Sequence, residues 1–261
     1  IRARVKGFQD EIFIDRRGID TPSFWSLMKL GDVDTYIQDG KPALPEYFAV
    51  IAEGIRIPSD ADYMRRIHTD MIDELGVTDA DEPAALCAGK YGYSPRALVA
   101  MGYPDQILSF SAGFRQIGGR YAVEIDSSAI DMFDLSAQLV LAGDMMTEFA
   151  KGPRYKPKMA EMHVEYTDRS LNERMAKYCA RLGLTPEETH AAIIESFQFF
   201  GKEQGIEFDE YVMEPYADFI DGKKKTFIVT ANPREPVTIS QIALYKPSDV
   251  PALLELSAEA R

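Results

Sequence analysis

Apolar and polar side chains alternate through three successive runs in residues 108–141, LSFSAGFRQIGGRYAVEIDSSAIDMFDLSAQLVL. A period of two is the signature of an extended strand with one face in contact with a core. Gly118-Gly119 suits a two-residue hairpin turn, whose backbone needs the left-handed conformations that glycine adopts freely. With that turn fixed, Ile117 faces Arg120, Phe114 faces Val123 and Ala112 faces Ile125. A slip of one residue would destroy this agreement. The third run places Phe133, Leu135, Ala137, Leu139 and Leu141 on one side, and Asp134, Ser136 and Gln138 on the other. The pattern predicts a three-stranded antiparallel meander with one dry face and one mostly wet face.

The pattern changes along the chain. EIFIDRRGID, VDTYIQDG and YFAVIAEGIRI read as short strands before residue 58. Tyr63, Ile67, Met71 and Leu75 recur at helical spacing, with Ser59 or Asp60 as cap and Gly76 as stop. TDADEPAALCAG is a loop or a short helical turn. Ser94-Pro95 opens a short helix ending near Gly102. MAEMHVEYTD is a further strand. Ser170 to Glu173 and Thr185 to Glu188 both match a capping box, so each starts a helix. The first carries Leu171, Met175, Tyr178, Cys179 and Leu182 on one stripe. The second carries Ile193, Ile194, Phe197 and Phe200. DEYVMEPYADFID is a third helix, started or kinked at Pro215. KKKTFIVTANP and VTISQIALY return to strand, and DVPALLELSAEA fits helix or strand.

Together these elements predict an α+β fold: a curved antiparallel meander holding several helices on one face. No internal repeat or low-complexity linker divides the chain. One domain over residues 1–261 is expected, with a soft boundary near 150–158.

Charge narrows the function. The net charge of -13 over 261 residues repels phosphate, so no nucleic-acid partner is expected. No apolar run reaches the roughly 18 residues of a membrane span. Cys87 and Cys179 would pair in an oxidising compartment or stay buried thiols in a reducing one.

Catalytic patterns are scarce. No nucleophile elbow, P-loop or dinucleotide turn occurs. His68 lies on a predicted surface helix, and His190 shares an apolar stripe. His163 and Glu165 share a strand face, but the paired cysteines of a zinc deaminase are missing. Cys179 sits toward a helix end, where the dipole opposes a thiolate. No catalytic residue, metal or cofactor is expected from these patterns.

From Met101 onward the order of elements resembles a group of poorly characterised proteobacterial cell-envelope proteins, over roughly residues 101–257. The matching features are Tyr166, Asp168, Leu171 and Arg174 at a strand-to-helix step, and Pro233, Pro236 and Val237 on a later strand. The resemblance implies a periplasmic or exported protein without a known enzyme site, with a signal or anchor removed upstream of Ile1.

Three uses of the apolar face follow beyond a plain core. It can line a groove between sheet and helices that takes a small hydrophobic or lipid-like molecule. Phe110, Phe114, Met132, Phe133, Met145, Met146, Phe149, Phe197 and Phe200 are the candidate ligand-binding residues, with methionine suited to floppy ligands. It can instead dock a protein partner in an envelope complex. A hydrolase with an acidic cleft is the third expectation.

Overall fold

The computed structural model describes residues 2–6, 12–15, 37–38, 41–42, 47–58, 69–70, 78, 81–89, 94–118, 120–143, 156–242 and 244–261. Most of the helix expected after Ser59, together with residues 150–155 of the soft boundary near 150–158, lies outside the described residues.

One large antiparallel sheet organises the chain. Its strands are β1 (Arg2–Lys6), β2 (Ile12–Asp15), β5 (Tyr47–Pro58), β6 (Asp105–Ile117), β7 (Arg120–Ala129), β8 (Phe133–Leu141), β9 (Lys158–Asp168), β10 (Thr226–Ala231), β11 (Val237–Thr238) and β12 (Leu256–Ala260). The order is β12-β10-β9-β8-β7-β6-β5-β1-β2, with β11 also on β9. A separate ribbon pairs β3 (Ile37–Gln38) with β4 (Lys41–Pro42). The glycine turn sets the expected register: Ile117 pairs with Arg120, Phe114 with Val123 and Ala112 with Ile125. Gly118 has φ 55°, as such a turn requires. Register shifts at Ala52/Ile55 and Val140/Leu141 introduce bulges, which bend the sheet.

The helices cover one face. They are α1 (Glu82–Cys87), α2 (Pro95–Ala100), α3 (Leu171–Ala180), α4 (Pro186–Glu203), α5 (Glu210–Ile220), α6 (Ile239–Ile242) and α7 (Val250–Leu253). Leu171 and Met175 of α3 join Leu98, Met101, Ala129 and Met132 in the largest buried cluster, with Phe133 packed against it. Phe219 of α5 meets Tyr166 edge-on at 5.6 Å. At the opposite end of the strands, Leu254 packs with Met159 and Ala231, and Ile239 with Leu139. Cys87 and Cys179 form a disulfide that ties α1 to α3 inside the first cluster. Gly89, just past α1, abuts α4 so closely that a Cβ would lie 2.9 Å from Ser196 Cβ.

Several local expectations need correction. Ser170 does not cap α3 with its side chain. Its hydroxyl bonds the Tyr103 hydroxyl and the Asp131 carbonyl instead. The cap comes from Asp168, whose Oδ1 accepts the Asn172 N–H at 3.0 Å. Thr185 forms the full capping box with Glu188 that its spacing predicts. VTISQIALY is strand only at Val237–Thr238 and then turns into α6. Thr238 faces Lys158, the first residue of β9, and the Ile239 N–H still bonds the Pro157 carbonyl at 2.9 Å as the chain turns into α6. The tail is both helix and strand, α7 and β12, joined through Glu255 at φ 46°. The second face of the sheet is also drier than expected: Ala122, Val140 and Ile228 on it are buried.

Candidate functional site

The register aligns seven apolar residues into one row. Val50 faces Ala112, Ala112 faces Ile125, and Ile125 faces Ala137. Ala137 faces Val164, Val164 faces Val229, and Val229 faces Ala258. At ~4.8 Å between neighbouring strands the row is roughly 29 Å long. It lies on the face that holds the helices, because Tyr166 and Phe227 share that face and meet Phe219 of α5.

Cover over this face is uneven. No member of the row is fully buried. Ile125 is 40% exposed, and its diagonal neighbour Phe110 is 43% exposed. On either side the same strands are closed off. Ala129 is buried under α2 and α3, and Tyr121 and Leu141 are buried near α6. The small side chains of Ala112 and Ala137 flank Ile125, and helices gather toward either end of these strands. Those groups touch where Gly205 sits against Pro247.

The predicted ligand residues divide by position. Phe110 stands at the open row. Phe114 packs edge-on against Tyr121 at 5.7 Å, at the α6 end. Met132 is buried in the large cluster, and Phe133 stacks on Tyr166 at 5.5 Å. Phe197 is sandwiched between Phe208 at 4.6 Å and Tyr216 at 4.4 Å, and Tyr216 in turn meets Phe227 on β10 at 5.5 Å. Phe200 lies on the outer side of α4, 62% exposed. Met145, Met146 and Phe149 lie outside the described residues. Sequence reasoning missed Val164, Val229 and Ala258, whose alignment with Ile125 depends on pairing between distant segments.

The other face carries a shallow trough of about 270 Å³ lined by Ser109, Ser111, Asp126, Ser136 and Glu165, among others. His163 Nε2 lies 3.6 Å from Glu165 Oε2, both side chains being open to solvent. Beside them Gln138 donates to Glu124 at 2.9 Å, and Arg115 pairs with Glu124. This is a polar ladder across adjacent strands of the kind that stabilises a wet sheet face. Among the described residues no group of three His, Cys, Asp or Glu side chains is placed to hold a metal ion.

The strand-to-helix step is structural. Burial pushes the Tyr166 phenol well above its ordinary range and raises the Asp168 carboxyl. Burial pushes Tyr216 up to about 12. The Arg174 guanidinium lies 4.3 Å from the Tyr103 ring centroid and donates to the Gly102 carbonyl at 3.0 Å. Leu171 fills the core below. The four residues therefore anchor α3 to the end of β9, just beside the apolar row.

No curated protein and no solved structure matches the chain. One family profile, described only as an uncharacterized protein, matches residues 126–261. That span runs from the middle of β7 to the end of β12 and includes the strand-to-helix step and helices α3 to α7, but not α1 or α2. It covers just over half of the sequence, so the chain belongs to this family of uncharacterized proteins.

Proposed function

We propose that the protein binds an elongated hydrophobic molecule, a lipid or similar compound, along the apolar row between its two helical groups. The observation that carries this reading is the row itself. Seven apolar side chains line up across seven strands, yet none is fully buried. Covering such surface contributes roughly 25 cal/mol per Å². Small residues at the centre leave depth for a chain, and a length of roughly 29 Å suits an extended hydrocarbon.

The Cys87–Cys179 disulfide supports a periplasmic or otherwise exported location, where such bonds persist. No described helix is long and apolar enough to cross a membrane. Native mass spectrometry of protein purified from an oxidising compartment tests the binding. The expected spectrum carries a single bound apolar molecule, lost in Ile125→Arg. Bare protein in every preparation, together with no uptake of added lipid, would remove the proposal.

A second reading, docking to a protein partner, is favoured by one observation. Phe199 and Phe200 at the outer end of α4 are each 62% exposed. Light scattering and a pull-down with Phe199→Ser/Phe200→Ser as control test it. Identical behaviour of the variant and the parent would exclude it.

A further inference from the structure

The outer end of α4 carries an exposed aromatic pair within a surface of one charge. Phe199 and Phe200 are each 62% exposed, and Tyr211 in the first turn of α5 is 45% exposed. Residues four apart are neighbours on a helix surface. Glu195 and Glu203 therefore flank Phe199 on the two adjoining turns, and both are exposed. The chain then folds back. The Ile206 N–H donates to the Gly201 carbonyl at 2.8 Å, and Phe208 stacks on Phe197 at 4.6 Å. This hook places Glu207 with Gln198 and Lys202 in the wall of a cavity of about 300 Å³.

The charges of this corner are not answered within the chain. Glu124 has Arg115, Glu161 has Arg120 and Glu173 has Lys177. Among the described residues, Glu195, Glu203 and Glu207 have no ion pair. Between residues 195 and 211 Lys202 is the one cation, against these three glutamates, Asp209 and Glu210. Exposed aromatic side chains suit the centre of an interface, and charge at its rim selects the partner. Carboxylates are repelled by anionic headgroups, which opposes docking to such a bilayer. A two-fold contact with a second copy would set the same carboxylates against one another. Resting on the docking reading, we infer that this corner takes a protein partner whose contact face is apolar at its centre and rimmed by lysine and arginine.

The test uses two synthetic amphipathic peptides with the same leucine face, one rimmed by lysine and arginine and the other by glutamate. Binding to the full chain is read by fluorescence anisotropy at low and high salt. The basic peptide binds about tenfold more tightly than the acidic one, and that preference shrinks as salt screens the rim. Phe199→Ser/Phe200→Ser keeps every charge and loses about tenfold in affinity for the basic peptide, which separates docking at this corner from general attraction to an acidic protein. Glu195→Lys/Glu203→Lys/Glu207→Lys reverses the preference while circular dichroism stays unchanged. Binding that needs Phe199 and Phe200 but is equal for the two peptides overturns the basic rim and leaves the docking reading standing. Binding of the basic peptide that the phenylalanine variant retains in full overturns both. Binding of neither peptide overturns the inference, as does capture of lipid vesicles in their place through the same two phenylalanines.

Discussion

Ala129 and Ile125 sit four residues apart on one strand and point to the same face, yet their surroundings differ. Ala129 is buried under helices α2 and α3, with Leu171 and Met175 against it. Ile125 is 40% exposed between two alanines. The difference teaches that alternation along a strand reports which side a residue takes. It does not report what lies on top. Cover comes from helices that arrive from distant sequence, and here they gather at the two ends of the strands.

Perturbations of the closed end should be far larger than those of the open row. The disulfide closes a sequence separation of 92 residues within the closed cluster. Its reduction should lower unfolding free energy by about 4–5 kcal/mol in the chain-entropy view, measured by denaturant titration with and without reductant. A loss below about 1 kcal/mol would mean that the cluster holds α1 without it. Leu171→Ala should cost about 3 kcal/mol, because it leaves a void among packed side chains. Ile125→Ala should cost under about 1 kcal/mol, since much of its surface is already wet. Equal costs at these two positions would erase the contrast between covered and open sheet.

The helix caps sharpen the same comparison at smaller scale. Thr185→Ala should cost about 1 kcal/mol through loss of its capping box. Asp168 adds a pH signature. Burial holds its folded-state pKa above the ordinary 3.8. The native state thus binds the proton more tightly than the unfolded chain. The cost of the buried charge is absent below about pH 3.8 and grows as pH rises through the folded pKa. Asp168→Asn keeps an oxygen for the Asn172 N–H and cannot ionise. Its stability relative to the parent should rise across that window and level off above it. Parallel pH curves for the two proteins would show that Asp168 is not buried as described.

Much of the meander was legible because a two-residue glycine turn is a local signal, and it fixes every pair from Ile117↔Arg120 to Ala112↔Ile125. Thr185 was legible for the same reason. Ser170 misled because it matched the local pattern, while Asp168 two residues earlier had the better geometry. The apolar row was only partly legible. Its first members lie on consecutive strands, but Val164 and Val229 join through the pairing of β9 with β10, 65 residues apart (229 − 164) and with three helices between them. No short-range pattern encodes that register.

The most direct test of the central claim compares two isoleucine methyl groups by NMR during titration with a long-chain monoacylglycerol. Ile125 lies on the open row, and Ile228 is buried on the other face, 1% exposed. The binding account predicts a saturable shift of the Ile125 methyl with little change at Ile228. An Ile125 methyl that stays in place while added lipid reaches saturation would contradict it.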